Sequence, residues 1–425
     1  MELRIVKITI MDSKELIKRF GIQQGLHWLI VGIMIPVITL IFQSRGLSLR
    51  DIGFVMAVWI GSTAVFEIPL GGVADRYGRK NTYLVSLLLN SFACIVLYFA
   101  YHLALITLAA VLLGVARAVY SGTLDAWFYD RFQYTQGNGS YHSALAKINV
   151  VVTLGLAIGS LIGGWLPDIA KNSPFHLTSI YDLNIVIVCI ANIGLIFVTW
   201  ILVKEKTKQV KASSIDAKIN IVKSSLDVLK KSLKHSVLSR LMQATLVFGM
   251  VLSSVENYWQ PYLANVLQQT SYGVFVFGVI SACYFLMSAA SSLLSVPLLA
   301  LFNSSHKSLM FTTRVLAGIL CICLAYTTHL WSFTMCYLGF FFFFTLGNNS
   351  ESVLLHENTA EQIRSTMLSI SSVMVTCGGV LASLLFGVLS EDYGISVSWT
   401  VAGVLLIISS PVFVFMPEKQ SLKTA

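Results

Sequence analysis

The stretch from Glu67 to Leu84, EIPLGGVADRYGRKNTYL, begins apolar, gathers Asp75, Arg76, Arg79 and Lys80 within six residues, and returns at once to apolar sequence. The runs on either side are each long enough to cross a bilayer as a helix, which takes roughly 17–25 apolar residues. A knot of charge between two such runs reads as a tight turn at a membrane surface. Composition agrees. The chain has 425 residues, of which 56% are hydrophobic and only 12% charged, against about 25% charged in a soluble domain. So few charges cannot cover a water-facing surface of this size. The apolar runs do not alternate, which excludes a β-barrel.

Working outward from that turn, the hydropathy predicts twelve helices, over 20–43, 51–74, 81–101, 104–130, 144–167, 180–203, 238–265, 272–301, 308–328, 331–357, 364–389 and 395–416. The fold class is therefore an all-α polytopic membrane protein. The first 19 residues carry Arg4, Lys7, Lys14, Lys18 and Arg19, with no small-residue cleavage site after them. A retained span is expected there, not a signal peptide; Met1 and Met11 both remain open as the start.

Lys and Arg set the orientation. With a cytoplasmic N-terminus, the inside segments hold those five together with Arg76, Arg79, Lys80, Arg131, Lys147, Lys307, Arg314, Arg364, Lys419 and Lys423, and 204–240 adds ten more. The outside segments hold only Arg45, Arg50 and Lys171. That asymmetry puts both termini inside. It also explains the basic balance, 29 Lys+Arg against 20 Asp+Glu, without any nucleic-acid partner. The one long polar stretch, 204–237, repeats Ile219, Val222, Leu226, Leu229 and Leu233 at three- and four-residue steps. This spacing predicts a helix lying along the membrane surface. The chain then divides into a six-helix bundle over 1–203, a cytoplasmic basic linker over 204–237, and a second six-helix bundle over 238–425.

The halves resemble each other. A shift of 223 residues lays Thr153–Asp168 (TLGLAIGSLIGGWLPD) on Thr376–Glu391 (TCGGVLASLLFGVLSE), with Gly155/Gly378, Ser160/Ser383, Gly164/Gly387 and Asp168/Glu391 in register. A shift of 226 brings Asp125 onto Glu351. Duplicated bundles meeting around a midplane site are the usual build of secondary transporters.

GGVADRYGRKNTYL also closely resembles the signature that the major facilitator superfamily carries between its second and third spans. Gly71, Ala74, Asp75, Arg76, Gly78, Arg79, Lys80 and Leu84 match, and Val73 replaces a leucine. The resemblance implies the twelve-span fold of two pseudo-symmetric bundles. It also implies a cytoplasmic latch between the halves, with Asp75 at the helix start near Arg364–Ser365 and Arg79 paired with Asp130. The second half lacks these charges (LLALFNSSHKSL), so one strong latch is expected. Gly155, Gly159, Gly163, Gly164 and Leu166 resemble the fifth-span motif of the exporters in that family, with Ser160 where the family has proline. Arg117–Trp127 resembles the fourth-span motif with its membrane arginine, the glycine standing one residue late at Gly122. The branch resembled is the twelve-span drug:proton antiporters.

A charge at bilayer depth costs at least ~2.5–3.5 kcal/mol on insertion scales, so it faces a cavity and marks function. Arg117 in span four and Glu256 in span seven are the two deepest. Glu256 is a candidate to take and lose a proton, and Arg117 to hold an anionic group. Asn257, Tyr258, Trp259 and Gln260 beside Glu256 suit an amphipathic organic molecule. Asp125 and Glu351 are candidates for the inner vestibule. His27 reads as a hydrogen-bonded helix histidine.

The seven cysteines and eight histidines show no metal spacing, and no cofactor is expected. Nothing resembles a P-loop, and no Ser–His or paired-Asp arrangement suggests an enzyme. The expected function is proton-coupled export of a small organic compound, drug-like or a metabolite such as a siderophore, by a monomer in the inner (plasma) membrane. The alternatives are uptake of a nutrient or iron–siderophore with protons, and a non-transporting receptor.

Overall fold

The computed structural model describes residues 12–70, 73–135, 140–172, 177–205, 236–268, 270–359 and 363–416. Among them are twelve helical spans long and apolar enough to cross a membrane: Ser13–Ser44, Leu49–Glu67, Arg79–Phe99, Leu103–Gln133, Tyr141–Lys171, Asp182–Leu202, Val237–Leu267, Phe275–Leu301, His306–Leu324, Leu330–Glu357, Thr366–Tyr393 and Ile395–Val414. These are the twelve read from hydropathy, with ends moved by a few residues. The surface helix expected over 204–237 lies almost wholly outside the described residues.

Four spans are broken, the twelfth of them at Ser410, just before Pro411. The first stops at Met34 and restarts at Ile38. Pro36 sits in the gap, where its missing N–H cannot join the helical ladder. The fourth stops at Tyr120 and restarts at Thr123 through Gly122, whose φ of +67° suits a residue without a Cβ. The tenth stops at Leu346 and restarts at Asn348, through Gly347. Hydropathy sees composition and not direction, so the sequence reading carried all four straight through.

Spans one to six form one bundle and seven to twelve the other, with matching contacts. The fifth packs along the first as the eleventh packs along the seventh. Across the halves, the second meets the eleventh and the fifth meets the eighth. Both crossings are built alike. A Cβ on Gly278 would lie 2.5 Å from Ser160 O and 3.0 Å from Gly164 Cα, and one on Gly53 would collide with Ser383 O and lie 2.9 Å from Gly387 Cα. Small residues let helix backbones touch in lipid. The Ser160/Ser383 and Gly164/Gly387 register is thus a repeated contact.

We term the side where the first span begins and the twelfth ends the near face, and the opposite side the far face. Among the described residues, the far face carries a set of hydrogen bonds between the halves. Thr39 Oγ1 donates to Gln260 Oε1 at 2.9 Å, and Gln260 Nε2 donates to Ile35 O at 2.8 Å. Arg50 pairs with Asp392 at 2.7 Å. Asp168 accepts from the Val274 and Phe275 amides at 3.3 and 3.2 Å, and Glu391 from the Leu49 amide at 2.8 Å.

Two arginines counted as loop charges fold back into the protein. Arg45 Nη2 lies 3.2 Å from Asp182, with both side chains almost fully buried, while its Nη1 donates to Leu97 O and Ala100 O. Arg314 sits inside the ninth span and pairs with Glu351 at 3.1 Å. Removing one member of a buried pair leaves the other charge uncompensated, at about 3–5 kcal/mol. Asp182→Ala is therefore expected to lower unfolding stability in micelles by about that much, since it also loses the Ser179 amide as donor. Arg45→Met in the same chain should recover most of the loss. A single variant as stable as the parent would show that the pair contributes nothing.

Candidate functional site

Glu256 and Arg117 come from opposite halves. All four residues following Glu256, from Asn257 to Gln260, are buried, yet Glu256 itself is reached by solvent, as is Arg117. The Arg117 charge acts on Glu256 across the gap, and Tyr284 donates to Glu256 Oε1 at 3.3 Å. A lipid-facing glutamate would have neither neighbour. The two groups, on opposite halves, are close enough for the one charge to act on the other, without a direct ion pair among the described residues. Toward the near face, Glu67 and Asp125 are also reached by solvent. Around Glu256 stands an aromatic wall. The Tyr284 ring lies 4.4 Å from that of Phe341, and Tyr337 lies 5.3 Å from Trp259. A carboxylate left without an ion pair can take a proton or a cationic group, and an unpaired guanidinium can hold an anionic one, which is what a charge kept inside a span is fit to do.

Asn257 and Tyr258, expected beside Glu256 on the pathway, are buried in helix contacts. Asn257 donates to Ser383 Oγ at 2.9 Å, and Tyr258 packs under the crossing at Gly53 and Gly387. One residue along a helix turns a side chain by about 100°, so neighbours of a cavity residue in sequence face elsewhere. Tyr284 and Phe341, on other spans, take their place; only their depth in spans eight and ten hinted at it.

Asp125 and Glu351, equivalent by the repeat, differ. Glu351 is held by Arg314 and by Thr245 Oγ1, which donates at 2.5 Å. Asp125 has no hydrogen-bond or ion-pair partner among the described residues. His27 is hydrogen-bonded as expected, its Nδ1 lying 2.9 Å from Tyr83 Oη.

At the near face, Gly71, Gly72 and the side chain of Asp75 lie outside the described residues. The described contacts of the charged turn run to Asp130 in the same half and to the start of the linker. Arg79 pairs with Asp130 at 2.7 Å, with Asp130 largely exposed, a geometry typically worth about 0–1 kcal/mol. Gly78, at φ +90°, opens the third span, where a side chain would be strained. Glu205 accepts from the Arg79 and Lys80 amides at 3.0 and 2.8 Å, and Lys80 Nζ donates to Trp200 O at 2.9 Å. Arg76 lies over the Tyr77 ring at 5.3 Å. Glu205 escaped the sequence reading; a lone carboxylate opening a lysine-rich segment was the signal.

The fifth-span glycines divide by direction. Gly155, Gly159 and Gly163 lie against the carbonyls of Gly25, Leu29 and Ile33 on the first span. Gly164 lies against Gly278 of the other half. Ser160, in the place of the family's proline, is buried and donates to Gly32 O at 3.4 Å. Among the described residues no group of three or more His, Cys, Asp or Glu is placed to hold a metal.

The comparisons with known proteins agree with this architecture. The family model described as Major Facilitator Superfamily matches residues 20–350 and 259–425. An uncharacterized MFS-type transporter, YxaM of Bacillus subtilis, is 23% identical over 406 residues, 93% of this chain and 94% of that protein. The class H tetracycline resistance protein of Pasteurella multocida is 28% identical over 153 residues, 35% of this chain and 37% of its own length. Among solved structures, the nucleoside transporter NupG superposes with a TM-score of 0.75 at 16% identity, covering 94% of this chain and 98% of that one. Twelve apolar spans, paired bundles around a solvent-reached carboxylate and arginine, and a family match over most of the chain converge: this protein belongs to the major facilitator superfamily and is a membrane transporter, not an enzyme.

Proposed function

We propose that the chain is a proton-coupled antiporter that exports a small organic compound across the inner membrane by alternating access, as a monomer with both termini in the cytoplasm. The observation that carries this reading is Glu256: a carboxylate at bilayer depth, open to the space between the halves, bonded to Tyr284 and acted on by Arg117 of the opposite half. Protonation weakens its hold on a substrate; deprotonation on the inner side restores it. The fifth-span glycines and the tetracycline resistance relative support export. With the positive-inside rule, the near face is cytoplasmic, and the far-face bonds make this an inward-open form. The bundles are bounded at 1–203 and 238–425, with 204–237 as the linker.

Uptake in symport with protons is the second reading, and Ser160 in place of the exporters' proline favours it. Flux in inverted vesicles separates them. With an acidic lumen, a panel of labelled drug-like compounds, tetracycline among them, is expected to yield at least one that accumulates inside as protons leave. Drainage of preloaded compound under the same gradient would make the protein a symporter. Gradient-independent behaviour of the whole panel would leave a receptor.

A further inference from the structure

Within the first bundle lies a side chamber of about 220 Å³, lined by residues of that half alone. It is walled by Gln24, His27, Trp28, Tyr83 and Tyr120, with Asp125 and Asn149 at its exposed rim. Three rings gather on His27: Tyr120 at 5.0 Å, Trp28 at 5.4 Å and Tyr83 at 5.7 Å between centroids. Trp28 Nε1 donates to Gln24 Oε1 at 3.2 Å, so the indole offers its face. The Asp125 carboxylate has no partner among the described residues, and His27 Nε2 is buried without one.

The other half shows what an occupied version looks like. Glu351, the repeat counterpart of Asp125, is held by Arg314, whose guanidinium also lies 4.6 Å over Phe248 and 5.0 Å over Phe344. There the protein supplies its own cation, between a carboxylate and two aromatic faces. The first half has the carboxylate and the aromatic faces and no cation among the residues lining the chamber. Arg117 is not among the lining residues, and its charge acts on both Tyr120 and Glu256.

We propose that this chamber is a binding site for a small organic ammonium ion, a trimethylated one above all. Its charge is set against Asp125 and its methyl groups against Trp28 and Tyr120, as in the aromatic sites that recognise quaternary ammonium groups. The site belongs to one half alone and does not depend on the direction of transport or on proton coupling.

Thermal unfolding of the purified full chain in micelles tests it, with choline as probe and its neutral carbon isostere, 3,3-dimethylbutanol, as control. Choline is expected to raise the midpoint for the parent and for Glu256→Gln, and the isostere to leave it unmoved. Asp125→Asn should weaken choline binding about tenfold or more, the scale of losing an opposite charge a few ångströms from a partly shielded cation. Trp28→Leu should also weaken it, which covers the case that Asp125→Asn unfolds. Equal shifts with choline and the isostere, an undiminished shift in both chamber variants, or a shift abolished only by Glu256→Gln would each overturn the proposal. Failure of the antiport reading would leave these outcomes unchanged, because no flux enters them.

Discussion

Glu256→Gln is expected to fold like the parent protein and to carry gradient-driven flux no greater than empty vesicles. Glutamine keeps the shape of the side chain and the Tyr284 hydroxyl as a neighbour at the same oxygen. It removes the negative charge and the proton. Nothing in the fold depends on that charge, since Glu256 makes no direct ion pair among the described residues. A structural residue would behave in the opposite way, losing stability and sparing residual flux. Tyr284→Phe should be milder, because it alters one neutral donor. Cells making parent and Glu256→Gln protein are the simplest comparison. If the parent lowers accumulation of a compound relative to empty cells and the variant lowers it equally, the central role of Glu256 is wrong.

Gly164→Leu is expected to drive the protein into a form open at the far face. A Cβ there would lie 2.6 Å from Gly278 N, 2.7 Å from Gly278 Cα and 3.1 Å from Phe275 O. These are backbone atoms of the opposing helix and cannot swing aside as a side-chain tip can. Overpacking costs typically about 1–3 kcal/mol, which already moves a balanced two-state equilibrium several-fold in favour of the state where the helices part. Leucine, larger than the space by several carbons, should all but empty the closed state. Spin labels at Lys171 and Gln268, one on each half, would read the change as a longer distance, in a chain whose seven cysteines have been replaced. Gly194→Ala is the control, since a Cβ there meets nothing within 4 Å. An unchanged distance in Gly164→Leu would mean that the crossing is not what holds this face shut.

Span number, the two-bundle plan and the positions of Arg117 and Glu256 inside their spans were legible because each follows from a run of composition. Bilayer thickness does the reading: a charge inside twenty apolar residues must be deep. Partnership was less legible. Arg45 and Arg314 sit within a turn or two of span ends, where a long side chain can reach either water or a buried carboxylate, and hydropathy gives both outcomes the same score. Asp182 and Glu351 decide the matter, far away in sequence. Direction around a helix was also hidden. Gly163 and Gly164 are adjacent, yet one meets the first span and the other the opposite half, so a glycine motif alone could not say which contact it served. The 223-residue register was informative for a reason the sequence could not state: Ser160 and Gly164, like Ser383 and Gly387, each receive a glycine from across the molecule.

The same register places Asp168 and Glu391 on the amide groups that open the eighth and second spans, each belonging to the other half. The first amides of a helix have no partner within it. Each bundle thus finishes the helix ends of its neighbour, and parting the bundles hands those amides to water. Deuterium uptake at Leu49, Val274 and Phe275 should therefore rise and fall with the working cycle, a built-in clock hand that needs no label.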